Sequence, residues 1–267
     1  MSNVDAVNAL LTAIHFDRFA EIEARHNPDA EFHSFRGPIL HDSVSISDWH
    51  REFLRDYADA TYTDVEYVED GDLVAVRATL TAKGYDWREF TQRVVEVFRF
   101  VDEGVQERRL YAMLPNVELD KPAMQSMTAA LESRGDGASK TREVVEAFYT
   151  AILSGDQDGA RAQLDEKATV IDTVCGVATG AEGFMEVIRQ TPTPAFGVWR
   201  VTSLVAGSRD ALVELSIDGV RPRAADWVRV VDGKIRVLEA HWMLREIGIS
   251  MDTYRADRHL KPAILPI

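Results

Sequence analysis

Residues 97–114, VFRFVDEGVQERRLYAML, and residues 227–244, WVRVVDGKIRVLEAHWML, carry one pattern twice. Each alternates apolar and polar side chains, turns at Asp-Glu-Gly or Asp-Gly, and resumes the alternation, which is the signature of a β-hairpin. Working upstream, each hairpin is preceded by matching elements in the same order. Val7, Leu10, Leu11 and Ile14 recur at helical spacing in the first half, and Val144, Val145, Phe148 and Ile152 do so in the second. Short strands follow over Asp29–Ser34 and Lys167–Asp172, each bringing a polar residue to its end. Further helices are predicted from Ser45-Ile-Ser-Asp48 and Thr179-Gly-Ala-Glu182, capping-box patterns ahead of the stripes Trp49, Phe53, Leu54 and Phe184, Val187, Ile188. Strands are predicted near 62–69, 73–82 and 91–101, with counterparts near 198–206, 210–218 and 224–231. A repeat of this length means tandem domains rather than a solenoid. Helices followed by antiparallel strands give an α+β class.

The 267 residues, 46% hydrophobic, suffice for two cores of ordinary domain size. Residues 131–140, LESRGDGASK, offer no apolar surface and read as a linker between domain one, residues 1–130, and domain two, residues 141–267 with its C-terminal tail. A formal charge of −14 argues against nucleic acid as a partner, since phosphate binding needs a basic face. Cys175 is the one cysteine, so an intramolecular disulfide is impossible and a Cys-based metal site is not expected. The apolar runs fall short of a membrane span and no basic-then-apolar leader opens the sequence, so no membrane partner and a cytoplasmic setting are expected. The histidines lack metal-ligand spacing and no phosphate-binding glycine loop is present, so neither a metal nor a cofactor is expected.

The repeated pattern resembles the cone-shaped fold of nuclear transport factor two, ketosteroid isomerase and the SnoaL-like polyketide cyclases, present in tandem over about 230 residues. The resemblance implies two cones, each a curved antiparallel sheet with about three helices, their sheets packed as a pseudo-dimer, with a homodimer also open. Ser154-Gly-Asp156 ahead of Val170-Ile-Asp172 matches the isomerase motif that ends on a catalytic Asp, which implies Asp172 as a general base. The second acid of those enzymes, protonated and donating to an oxyanion, falls on Asp226 in Asp226-Trp-Val-Arg-Val and on Glu96 in Glu96-Val-Phe-Arg-Phe. Burial separates the two roles, raising the proton affinity of the acid that must stay neutral. The bland alternative is that each acid at this hairpin position bonds only backbone or a neighbouring Arg.

The halves differ in chemistry. Where domain two has Asp172, domain one has Ser34, flanked by His33, and a hydroxyl is no general base at neutral pH without help. Domain one therefore reads as degenerate, with His33, Tyr111, Arg109 and Glu96 as pocket candidates beside Ser34, or His33 simply on the outer face of its strand. In domain two, Phe148 takes the helical position where the resemblance implies an oxyanion Tyr. Tyr149 lies one residue on, about 100° around the helix. His241, in Glu239-Ala-His241-Trp242, stands where some relatives carry a phenolic donor, and with Asp172 it would form an acid/base pair; its alternative is a histidine hydrogen-bonded at a domain interface. Trp199, Trp242, Cys175, Phe148 and Tyr149 are the substrate-binding wall candidates, Cys175 being otherwise a buried inert thiol.

Tandem cones are also similar to polyether epoxide hydrolases, in which one carboxylic acid protonates an epoxide and a second carboxylate deprotonates the attacking hydroxyl. The approximate position of one of those carboxylates carries Trp199 in domain two and Tyr62 in domain one. The resulting expectation is a cofactor-independent cyclase or isomerase acting on a polyketide-like small molecule. Epoxide opening and binding without catalysis are the alternatives.

Overall fold

The computed structural model describes residues 2–35, 37–84, 89–114, 135–190, 199–217, 219 and 221–247. The chain divides into two compact units, Met1–Asn116 with Met243–Arg245, and Val117–Trp242 with Glu246–Ile267. The domain boundary expected at residue 130, linker residues 131–134 and the tail beyond 247 lie outside the described residues. Ala138–Lys140, read from sequence as linker, instead form the first turn of a helix. The low apolar content there is the solvent-facing start of an amphipathic helix rather than a break in structure.

Unit 1 runs α1 (Asn3–His15), α2 (Phe19–Arg25), β1 (His26–His33), α3 (Ser43–Asp56), β2 (Tyr57–Asp70), β3 (Leu73–Gly84), β4 (Glu89–Val101) and β5 (Gly104–Ala112). β2 to β5 form an antiparallel meander, and β1 returns parallel to β5. Unit 2 repeats the order: α4 (Ala138–Ser154), α5 (Gln157–Ala162), β6 (Leu164–Asp172), β7 (Gly176–Thr179), α6 (Ala181–Gln190), β8 (Arg200–Ala206), β9 (Asp210–Ser216), β10 (Pro222–Val231) and β11 (Lys234–Trp242). There β8 to β11 are antiparallel and β6 runs parallel to β11. Each unit is thus a curved sheet carrying helices, in the α+β class expected.

Local chemistry sets the element ends. Ser2 and Asp5 form a reciprocal capping box on α1. Asp42, not Ser45, caps α3 and accepts from the Ser45 backbone N–H at 2.7 Å, so this helix begins three residues before its predicted start. Gly155, at φ +80°, closes α4 in the left-handed conformation, and Asp156 then caps α5 through the Gly159 N–H. Both signature hairpins turn on two residues with positive φ, Asp102-Glu103 and Asp232-Gly233, the primed geometry that matches strand twist. Gly104 therefore belongs to β5 rather than to the turn. A Cβ at this position would lie 2.0 Å from Asn27 Oδ1, so a larger residue would displace an amide that bonds Val101 O and Gln106.

In each unit one sheet face meets the helices. Val7, Leu10, Ile14 and Ile22 pack on Val74, Val76, Phe98 and Phe100 in unit 1. Val145, Phe148, Phe184 and Val187 pack on Val213, Val228, Val230 and Leu238 in unit 2. Each such side chain contributes about 1.5–3 kcal/mol of transfer free energy. The polar residues that interrupt these apolar faces mark the sites.

Candidate active site

Strand register brings the two acids of unit 2 together. Asp226 on β10 pairs with Ala240 on β11, and Ala240 pairs with Asp172 on β6, so the three lie in one row across the sheet. Residues side by side in register project to the same face. The row continues through Val213 and Leu204, and Ala240 and Val213 belong to the core beneath the helices. Both carboxyls are therefore on the helix-covered face, Asp172 at 3% exposure and Asp226 at 7%, separated by the methyl of Ala240.

Their surroundings differ in kind. Asp172 ends β6, and its Oδ1 accepts from the backbone N–H of Val174 at 2.8 Å, that of Cys175 at 3.0 Å and the indole N–H of Trp242 at 3.1 Å. Burial raises its proton affinity, and these donors, with the Cys175 thiol, oppose the rise by stabilising the carboxylate. Asp226 has fewer such donors. Burial lifts its pKa to about 7, against the lowering effect of the Tyr149 hydroxyl and with a further rise from the Asp172 charge. That hydroxyl donates to Asp226 Oδ2 at 2.5 Å, and burial followed by the Asp226 charge keeps the phenol protonated. The site thus joins a carboxylate held by several N–H groups to a carboxylic acid held by a phenol.

Three sequence expectations change here. His241 pairs with Ala225 one row along, and alternation along β11 puts it on the opposite face from Asp172. It is fully buried, with Nδ1 3.0 Å from Glu239 O, and the expected Asp172–His241 pair does not form. Tyr149, expected to point away, supplies the phenol: both helical positions 148 and 149 are buried, and the longer side chain reaches the sheet. Phe148, expected in the wall, packs edge-to-face on Phe184 within the core. Trp242 is more than a wall, because its N–H donates to Asp172. Trp199 meets it edge-to-face at 6.0 Å, and the buried Trp199 Nε1 has no partner among the described residues. Cys175 is partly exposed beside Asp172.

Unit 1 builds something else at the same place. Glu96 is its counterpart of Asp226 and pairs with Leu110 where unit 2 has Ala240. Arg108 lies on the same face and donates from Nε to Glu96 Oε2 at 2.7 Å, with a second guanidinium nitrogen at 2.6 Å. Both residues are fully buried. The guanidinium also stands over the rings of Phe32 and Phe98 at 4.7 and 5.4 Å, and its NH1 lies 2.6 Å from His50 Nε2. Burial, then Glu96, keeps the Tyr62 phenol protonated. Glu96 is thus tied to a guanidinium where Asp226 is met by a phenol, so the two units hold this acid differently. Ser34 lies just beyond β1, buried. His33, Arg109 and Tyr111 fall on the opposite face from Glu96, so the five residues expected in one pocket are split between two faces.

On that second face Glu31, His33 and Glu107 bring potential metal-ligand atoms within 4.8 Å of one another, a grouping that no sequence spacing announces. Glu107 already meets Arg109 at 2.5 Å through Oε1 and Arg99 at 3.2 Å through Oε2. The group is accounted for as an ion-pair network. His50 and Arg108 were missed in the sequence, although Ile46, His50 and Phe53 share one helical stripe and Arg108 alternates onto the face of Phe98.

The buried histidines carry a pH prediction. Burial, then the Arg108 charge, depresses His26 to about 4 and His50 well below 6.5. The unfolded chain therefore takes up protons below about pH 6.5 that the fold refuses, so this stability is complete above 6.5 and is lost as pH falls towards 4. For His26 alone the loss approaches about 3 kcal/mol. Urea unfolding at pH 7.5 and 4.5 should show the loss in unit 1, with a shallower pH slope in His26→Phe; an unchanged slope in that variant contradicts the assignment.

Residues 7–108 and 145–238 each match the family described as a SnoaL-like domain. The chain belongs to the SnoaL-like family, in tandem. No curated protein matches it. Solved structures similar to it include a ketosteroid isomerase-like protein from Catenulispora acidiphila DSM 44928 in complex with trimethylamine, 16% identical, spanning 41% of this chain and 85% of that one with a TM-score of 0.39. IdmH of Streptomyces antibioticus, a candidate polyketide cyclase, is 20% identical over 42% and 92% of the two chains with a TM-score of 0.38. An NTF2-like protein of Burkholderia pseudomallei K96243 is 20% identical over 42% and 92%, at 0.40. Each of these spans about one SnoaL-like unit of the tandem chain. Among the described residues no helix is long and apolar enough to cross a membrane.

Proposed function

We propose that unit 2 is a cofactor-independent acid/base catalyst that cyclises or isomerises a polyketide-like small molecule. The observation that carries this reading is the row Asp226–Ala240–Asp172, with Tyr149 donating to Asp226 and three N–H groups donating to Asp172. Asp172, with its carboxylate stabilised, is ionised first and takes a proton from carbon next to a substrate carbonyl. Asp226, whose pKa of about 7 leaves it substantially protonated at neutral pH, donates to the carbonyl oxygen as the enolate forms. Tyr149 occupies Oδ2 and so orients the acid. Return of the proton at another carbon gives an isomer; attack of the enolate on a second carbonyl closes a ring. Unit 1, with Ser34 in place of the base and Glu96 tied to Arg108, takes no part in this chemistry.

The test is deuterium uptake by an enolisable cyclic ketone in D2O, which needs no knowledge of the natural substrate. The wild-type protein should accelerate exchange, and Asp172→Asn should lower the rate about 10²- to 10⁴-fold. Equal rates for the two proteins contradict the proposal.

A further inference from the structure

The ion pairs on the second face of unit 1 satisfy Glu107 and leave Glu31 beside it without a fixed cation. Glu107 takes Arg109 on Oε1 and Arg99 on Oε2. Glu31 pairs with Glu107 in register, and carboxylates opposite one another on neighbouring strands repel. Among the described residues Glu31 meets no Lys or Arg. Its partners are two histidines: His33 Nε2 lies 3.3 Å from Oε2, and His41 Nδ1 lies 3.2 Å from Oε1.

Backbone pairing, not sequence spacing, brings these three together. Glu31 and His33 alternate onto one face of β1. Phe32 and Leu40 exchange both backbone hydrogen bonds, at 3.0 and 3.1 Å, in an antiparallel bridge. Glu31, one residue before Phe32, therefore stands opposite His41, one residue after Leu40. His41, Glu31 and Glu107 form one row, and His33 lies two residues along β1. The side chains of His41 and Glu31 are 68% and 46% exposed, so an ion reaches them from solvent, while that of His33 is 17% exposed.

The donor set selects a class of ion. Calcium and magnesium need several oxygen ligands, and only one carboxylate is spare here. Two imidazoles and a carboxylate suit zinc. Ligand atoms about 2.0–2.1 Å from a tetrahedral zinc stand about 3.3 Å apart, which is the spacing of both histidine contacts to Glu31. Arg99 and Arg109 outweigh Glu107 by one charge, which opposes any dication and leaves imidazole coordination to carry the affinity.

We propose that unit 1 carries a zinc site on the face opposite Arg108, with His33 Nε2, His41 Nδ1 and Glu31 as its ligands. Three protein ligands leave a fourth position for water. Glu107, whose ligand oxygen lies within 4.8 Å of those of Glu31 and His33, is the acceptor for that water. The site is independent of the acid/base reading of unit 2.

The test titrates zinc chloride, and separately magnesium chloride, into the tag-free full-length protein labelled with 15N-histidine. Zinc should bind one to one and move the His33 Nε2 and His41 Nδ1 resonances together, with the other histidines unmoved; magnesium should move none. Loss of an outer partner already costs about 10- to 100-fold in metal affinity, so His33→Ala and His41→Ala should each weaken zinc binding at least about tenfold. Zinc should also raise the unfolding temperature of the wild type and not that of the double variant. Shifts confined to one of the two rings, or spread over the other histidines, overturn the proposal. So do undiminished affinity in the double variant and an absence of saturable binding at millimolar zinc. The residue-resolved titration of the wild type decides even if a variant does not fold.

Discussion

Asp226→Asn is expected to stabilise unit 2 at pH 8 and to leave its stability nearly unchanged at pH 4. An ordinary Asp titrates at 3.8 and this one at about 7. Below 3.8 both folded and unfolded states hold the proton and burial carries no ionisation penalty. Between 3.8 and 7 the unfolded chain releases its proton while the fold retains it, so stability falls as pH rises, and the penalty is complete above 7. The full difference is worth about 4 kcal/mol. Asn keeps an acceptor for the Tyr149 hydroxyl while removing the charge. Urea unfolding followed by tryptophan fluorescence should show a gain at pH 8 that vanishes at pH 4; equal effects at the two pH values contradict the burial account. On the proposed function, a site that is more stable without its acid is one in which stability has been given up for chemistry.

Arg108→Met should destabilise unit 1 by about 3–5 kcal/mol, because it leaves Glu96 buried and charged with its counter-ion gone. The loss also removes the cation–π contacts to Phe32 and Phe98. Arg108→Met combined with Glu96→Leu should recover much of that loss, since replacing a whole buried ion pair by apolar groups is often neutral. Unfolding midpoints of the single and double variants decide this. A single variant within about 0.5 kcal/mol of wild type, or a double variant no better than the single, would contradict a buried pair at this position.

The fold was legible because its cause is local and repeated. Alternation through two hairpins, glycine or acidic residues in the left-handed turns, and apolar stripes at helical spacing each act over a few residues, and the second copy tests the first. The same holds for Asp172, which ends β6, and for Asp226, which lies at a marked position within β10. Side-chain company was harder to read. Whether His241 or Asp226 meets Asp172 depends on which residue of β11 lies between them, and a shift of one residue in register exchanges the faces. Alternation alone leaves that parity open; the pairing of Ala240 with both acids fixes it. Tyr149 was misplaced because a helical wheel orders Cα directions and not reach. Arg108 looked like one of three consecutive charged residues, Glu107-Arg108-Arg109, on a hairpin, whereas burial selects it alone to face Phe32, Phe98 and Glu96.

The proposed chemistry comes down to two carboxyls in one row whose proton affinities are set by each other and by a phenol. The direct measurement is the pKa of Asp226, followed by carboxyl 13C resonance in the wild type, Asp172→Asn and Tyr149→Phe. A value near 7 is expected in the wild type, lower in Asp172→Asn, where the neighbouring charge is gone, and higher in Tyr149→Phe, where the donor to the carboxylate is gone. An Asp226 titrating near 4, or one that neither substitution moves, would contradict the account.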